Sequence, residues 1–374
     1  MNIRDFALER YLAQHEFSAP HLLCTSDCET LSINELLSLE EGSHAGFNDL
    51  RLGYTESAGS PLLRDAIADW YESVSSQEVV VTSGAEETIF ITMQVLLKPG
   101  DEVITQFPCY QSLHEIPRTL GCVVRPWEMY EKDGTWHSDP EDLSELITKK
   151  TTALIINSPH NPTGYQFTSP EWQTIREIAD DHGIRILSDE VYRGSEHEHG
   201  AMLPPMADCT DTGVSIGVMS KALGLAGLRI GWIASHDSNL LKRFLAFKDY
   251  TTICNSAPSE YLAAVALRQK EQILSRNLEI IQKNLKLLEK FFSNHRGMVS
   301  WSPPRAGSTA FPRLTGGGDA DLFCDNVRKQ AGVLLLPGSV FGMTSPHFRI
   351  GYGRKDMNQG LAQFETFLDK DGSP

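Results

Sequence analysis

Lys221 stands between an apolar run, 214–219, and a glycine-punctuated turn, Gly224-Leu225-Ala226-Gly227, with Arg229 eight positions after it. A lysine in that position is a solvated charge or an amine that condenses with a carbonyl, with the arginine holding an anion beside it. The segment alone leaves both readings open. It does not stand alone, however. Before it come Thr82-Ser83-Gly84-Ala85-Glu86, Phe107-Pro108-Cys109-Tyr110, Asn157-x-x-x-Asn161-Pro162-Thr163-Gly164 and Asp189-Glu190-Val191-Tyr192; after it comes Arg349 in His347-Phe348-Arg349-Ile350-Gly351-Tyr352.

Each motif has its own chemistry and its own plain alternative. Gly84-Ala85-Glu86 follows an apolar run and opens a helical one, where free N–H groups bind anions; it is also an ordinary strand-to-helix turn. Tyr110 offers a flat aromatic face, or core packing. Asp189 ends an apolar run, where a carboxylate can pair with a cationic nitrogen or cap a turn. Asn161-Pro162-Thr163-Gly164 is a good turn sequence, though Asn157 four residues earlier is more than a turn needs. Arg349 lies in an apolar run and requires a partner, either a ligand carboxylate or an internal salt bridge. Tyr54, in Gly53-Tyr54-Thr55-Glu56, reads equally as a surface tyrosine.

Taken in order, from about Tyr54 to about Arg354, these motifs resemble the fold-type-I pyridoxal phosphate (PLP) enzymes, the class I/II aminotransferases in particular. The resemblance implies that Lys221 forms a Schiff base with PLP and later shuttles a proton, with Lys221, Asp189 and Tyr110 as the catalytic set. It implies that Asp189 pairs with the pyridine nitrogen and Tyr110 stacks on the ring. Tyr192 and Asn161 then bond the ring's 3′-oxygen, while Gly84, Ala85, Glu86, Ser220 and Arg229 hold the phosphate. Arg349, with Asn161, takes the substrate α-carboxylate. Tyr54 reaches the phosphate of a neighbouring subunit, which makes the active unit a homodimer. Two departures stand out. Val218 replaces the hydroxyl residue that many relatives carry three places before the lysine. The stretch 17–28 has no Gly-Glu-Pro-Asp-like segment. Segments such as Arg125-Pro126-Trp127, Lys248-Asp249-Tyr250 and Thr309-Ala310-Phe311-Pro312-Arg313 resemble the branch typified by capreomycidine synthase, a PLP enzyme that cyclises a hydroxyarginine. Asp27 or Glu29 could meet a cationic side chain, or be a surface charge. The expected activity is an aminotransferase using amino-acid and keto-acid substrates; the alternative is elimination, replacement or cyclisation. A binding module without turnover fits an intact Lys221, Asp189 and Arg349 poorly.

These residues need a scaffold that brings distant segments to one place. Apolar runs at 78–82, 102–105, 123–126, 153–157, 184–188 and 214–219 alternate with helical patterns such as 87–97 and 171–182. That alternation predicts a mainly parallel sheet covered on both faces, whose ligands bind at the carboxyl ends of the strands. Beyond about residue 258 the pattern changes to a long helical region, 260–295, then strands at 309–313, 332–336 and 347–352 and a final helix over 357–368. The expected fold is α/β: a PLP-binding large domain (46–258) with a smaller α+β domain (259–374), as in aspartate aminotransferase. By the resemblance, the N-terminal arm (1–45) packs with the small domain.

A chain of 374 residues, 41% hydrophobic and 22% charged, is long enough for such a two-domain body. Its net charge of −16 disfavours nucleic acid or anionic membrane as partners. The first residues form no signal-peptide core and no apolar run reaches membrane-spanning length. The seven scattered cysteines contain no C-x-x-C pair. A cytoplasmic protein with reduced thiols and no metal site is expected.

Overall fold

The computed structural model describes residues 3–371. Its centre is a seven-stranded sheet of β1 (Val79–Thr82), β2 (Glu102–Phe107), β3 (Val123–Glu128), β4 (Thr151–Asn157), β5 (Arg185–Asp189), β6 (Val214–Val218) and β7 (Gly231–Ala234). The spatial order is β1-β7-β6-β5-β4-β2-β3. Runs such as Val79-Val80-Val81 and Leu154-Ile155-Ile156 are buried on both sides, which a helix-covered sheet requires. Successive side chains alternate faces. Leu154, Ile156 and Ile186 therefore enter one core, and Ala153, Ile155 and Leu187 the other.

The sequence patterns locate six of these strands. They miss β7, a four-residue strand that opens on a glycine just after the arginine-bearing turn. β7 runs antiparallel to both neighbours, with Gly231 opposite Thr82 and Val218. The other pairs are parallel. A chain that leaves β6 through Lys221 therefore turns and re-enters the sheet from its carboxyl edge, keeping Arg229 on that same edge.

Helices cover the sheet and flank it. The first, α1 (Ala7–His15), lies near the start of the chain. Next, α2 (Ala85–Leu96) follows β1, and α3 (Ser169–His182) follows β4. Local chemistry sets the ends of α3. Thr168 and Glu171 form a reciprocal capping box, and Gly183 closes the helix at φ +64°. The expected long helix after residue 258 is two helices, α4 (Ala257–Arg268) and α5 (Lys270–Asn294); Gln269 between them leaves the helical range at φ −109°, ψ 21°.

The C-terminal strands are shorter than the patterns suggest. β8 (Thr309–Ala310), β9 (Leu336–Pro337) and β10 (Phe348–Gly351) form an antiparallel sheet in the order β8-β10-β9. Val333–Leu334, within the expected strand 332–336, pairs instead with His21–Leu22, in parallel. Leu23 and Cys28 share a core with Phe348, Ile350 and Phe364 of the last strand and of α6 (Met357–Asp371). The seven cysteines are free thiols. Among the described residues no helix is long and apolar enough to cross a membrane.

Candidate active site

At the carboxyl edge of the sheet lies a cavity of about 440 Å³. Its lining gathers Ala85, Glu86, Tyr110, Asn161, Asp189, Tyr192, Ser220, Lys221, Arg229 and Arg349, so residues far apart in the chain meet at one place. Gly84 stands at the rim as the cap of α2. Val218, three residues before Lys221, lines the wall with an apolar side chain. Tyr54 does not line the cavity and is 93% exposed.

Strand ends position the acid and the amide. Asn157 and Asp189 are register partners that end β4 and β5. The Asn157 amide donates to the Asp189 carbonyl at 2.9 Å, and its oxygen accepts from the Asn161 N–H at 2.8 Å, which fixes the following loop. The Asp189 side chain is 4% exposed and accepts one hydrogen bond, from the Val191 N–H at 3.3 Å. Burial pushes its carboxyl up to about 7, against the pull of that N–H and of nearby Lys221. A cationic ring nitrogen would reverse that penalty.

His160 joins the two loops that flank the cavity. Its Nε2 faces the Pro108 carbonyl at 2.8 Å, so Nε2 carries the hydrogen. Nδ1 then accepts from the Thr163 hydroxyl at 2.7 Å. Burial pushes this imidazole down to about 3, so the bridge is neutral.

The amine and the two guanidiniums come next. Lys221 Nζ donates to the Ser26 hydroxyl at 2.8 Å and lies 5.9 Å from the Tyr192 ring centroid. Arg349 is 2% exposed. It donates to Asn161 Oδ1 at 2.9 Å and to the Cys24 carbonyl at 2.6 Å, and its Nε has no partner among the described residues. Among the described residues Arg349 forms no internal salt bridge. Both partners are neutral oxygens, so the charge is available to a carboxylate in the cavity.

At the other end, Gly84 takes φ +86°, and a Cβ there would lie 2.5 Å from Arg229 Nη2. Arg229 is itself held in the left-handed region at φ +51°. The free N–H groups of α2 and a guanidinium thus converge on one small space, a cradle for a phosphate. The Tyr192 hydroxyl, buried and without a partner, needs an acceptor or donor from a ligand. These four features fit PLP: a cradle for its phosphate, a carboxyl for its ring nitrogen, a hydroxyl for its phenolic oxygen and an amine for its aldehyde.

One wall was not foreseen. Leu8, Glu9, Leu12 and Glu16 of α1 and its C-terminal cap line the cavity. Their spacing of one, four and eight positions is a single helix face, a pattern present in the sequence but lacking any motif to mark it. Gln111, next to Tyr110, fixes this helix by accepting from the Ala7 N–H at 2.8 Å and donating to the Asp5 carbonyl at 2.9 Å. Ser26 and Arg354 are further lining residues missed by the motifs. Asp27 pairs with Arg354 at 2.8 Å, and Glu29 accepts from the Lys355 N–H at 2.8 Å. Both acids are engaged within the protein.

The family model for aminotransferase class I and II matches residues 22–364. The chain belongs to that family. Its cofactor is PLP, and its fold is that of aspartate aminotransferase. Capreomycidine synthase of Streptomyces vinaceus is 29% identical, over 96% of this chain and 93% of its own. A PLP-dependent aminotransferase structure from Streptococcus suis superposes with a TM-score of 0.92 at 31% identity, covering 99% of both chains. The PLP-dependent cyclase OrfR follows at a TM-score of 0.91 and 29% identity, over 99% of this chain and 98% of that one.

Proposed function

We propose that this protein is a transaminase for an α-amino acid with a cationic side chain, working as a homodimer. One observation carries PLP chemistry on an α-amino acid: Lys221, Asp189 and an Arg349 that bonds only neutral oxygens share one cavity with Arg229; amino transfer is preferred because the family model is that of the aminotransferases. When bound, PLP supplies an electron sink that acidifies the substrate Cα–H. Lys221 anchors it and then carries the proton from Cα. Ser26 orients that amine before reaction. Asp189 holds the proton on the ring nitrogen, and its buried carboxyl gains most from doing so. Arg349 grips the α-carboxylate in a planar two-point contact, squared by Asn161. Tyr192 and Asn161 take the ring oxygen.

The cationic side chain is read from α1. Glu9 and Glu16 present two carboxylates along one helix face of the cavity, while the nearby Asp27 is neutralised by Arg354. The Tyr110 hydroxyl donates to Glu9 at 3.4 Å and ties that acid to the wall. The homodimer is read from Tyr54, whose exposed hydroxyl is free to serve a partner subunit's cradle.

A cyclising or eliminating reaction at Cβ or Cγ is the second reading. The OrfR cyclase and capreomycidine synthase likenesses favour it, and it uses the same residues. One experiment separates the two. Purified enzyme is incubated with each amino acid, with and without a keto acid, and products are identified by mass spectrometry. Amino transfer that needs the keto acid supports the first reading; a cyclic or eliminated product without it supports the second. Borohydride reduction followed by peptide mapping should place the cofactor on Lys221, and its recovery on another lysine overturns the assignment.

A further inference from the structure

Lys248 is 0% exposed although it carries an ammonium group. It ends the helix Ser238–Lys248 and does not line the cavity. Its Nζ donates to two carbonyls, Ser57 at 2.7 Å and Ile253 at 3.2 Å. Burying a cation on carbonyl oxygens is costly, and burial pushes its pKa down. Ile253 adds a second cost: a β-branched residue at φ +64°, 55% exposed.

The surroundings show what these costs hold in place. Ser57 donates its hydroxyl to the Ile253 carbonyl at 2.8 Å, and Thr55 donates to the Asn255 carbonyl at 2.9 Å, so the Tyr54 loop is strapped to loop 249–255. On the other side, Glu87 accepts from the hydroxyls of Thr251 at 2.6 Å and Thr252 at 2.8 Å. Its second oxygen accepts from the Ser83 N–H at 2.6 Å, one residue before Gly84. An unbroken chain of bonds therefore runs from the phosphate cradle through Glu87, loop 249–255 and Lys248 to the loop that bears Tyr54.

We propose that Glu87 and Lys248 are positioning residues for the phosphate end of the site, Glu87 bracing the cradle of its own subunit and Lys248 the Tyr54 loop offered to the partner. This inference rests on the reading of Gly84 and Arg229 as the phosphate cradle and of Tyr54 as a partner's ligand. It concerns affinity for the phosphate group, not the reacting atoms.

The test compares PLP with pyridoxal, which lacks the phosphate. Dissociation constants for both are measured by absorbance titration of the cofactor-free protein, for wild type, Lys248→Met, Glu87→Gln, Tyr54→Phe and Lys248→Met/Tyr54→Phe. Lys248→Met and Glu87→Gln should each weaken PLP about tenfold, or roughly 1.4 kcal/mol, and leave pyridoxal unchanged. The double variant should be no weaker than the worse single, because Lys248 acts through Tyr54. Thr55→Val/Ser57→Ala cuts the same strap near the surface and should reproduce the loss if Lys248→Met does not fold. Equal losses for both ligands mean general destabilisation and overturn the inference. So does an unchanged PLP affinity, or an additive double variant. A wild type that binds no PLP sinks the proposed function itself. A wild type that binds PLP normally, beside a Lys248→Met variant that does too, sinks only this inference.

Discussion

Asp189 sits in a site whose cost changes with protonation. Its carboxyl moves from 3.8 to about 7 in the fold, chiefly through burial. Between those values an unfolded chain has released the proton and the folded one keeps it, so this group's contribution to stability falls as pH rises through that window. In the cofactor-free protein, Asp189→Asn should therefore gain stability relative to wild type from pH 4.5 to 7, by at most about 1.4 kcal/mol per pH unit. Urea unfolding at several pH values measures this, and a constant difference counts against it. In the loaded enzyme the same substitution should remove most turnover while leaving the fold intact. Arg349→Lys keeps a charge but loses the fork. Amino-acid binding should weaken at least about tenfold while a decarboxylated amine is unaffected; equal loss for both would place the carboxylate elsewhere. At this scale the sequence was highly legible. Lys221 and Asp189 stand at the ends of strand-like runs, Asn161 opens a turn of recognisable composition and Arg349 lies within an apolar run. Glu9, Glu16 and Ser26 were not, because an acid on a helix face and a serine in a loop look the same whether or not a cavity lies beside them.

Elements place these residues more tightly than the patterns foretold. The start of α2 is the sharpest case. Gly84→Ala puts a methyl where the Arg229 guanidinium lies and adds left-handed strain, so the cradle must open. PLP affinity should fall at least tenfold and the strain should also lower the melting temperature, as read by cofactor titration and thermal unfolding of the cofactor-free form. Helix α1 carries the specificity prediction. Glu16→Gln should lower kcat/KM for an amino acid with a guanidinium or ammonium side chain about tenfold, a charged hydrogen bond's worth, and spare its neutral isostere. A uniform change for both would make Glu16 a structural residue. Strand β7 escaped because its four residues open on Gly231 beside a glycine-rich turn and lack the β-branched run that marks the equally short β1. The break at Gln269 escaped because the polar and apolar spacing continues across it.

At the scale of the molecule, the exposed Tyr54 loop predicts shared sites. Subunits carrying Tyr54→Phe and Arg229→Ala together, mixed with wild type, should yield heterodimers with both sites impaired, since one defect falls in each. One fully active site would mean that Tyr54 serves its own chain. The mainly parallel sheet was legible from the alternation of runs and helices; the pairing of His21–Leu22 with Val333–Leu334 was not, since two-residue strands leave no pattern. That pairing has a consequence for how the protein is made. Cys24 and Arg349, bonded in the cavity wall, are 325 positions apart. On the ribosome the Cys24 carbonyl emerges early and waits for Arg349 until nearly the whole chain has been synthesised. The substrate end of the pocket closes last, so nascent chains stalled before residue 333 should show no amino-acid-dependent spectral change in the presence of PLP, and that change should arise only once the segment bearing Arg349 has left the ribosome.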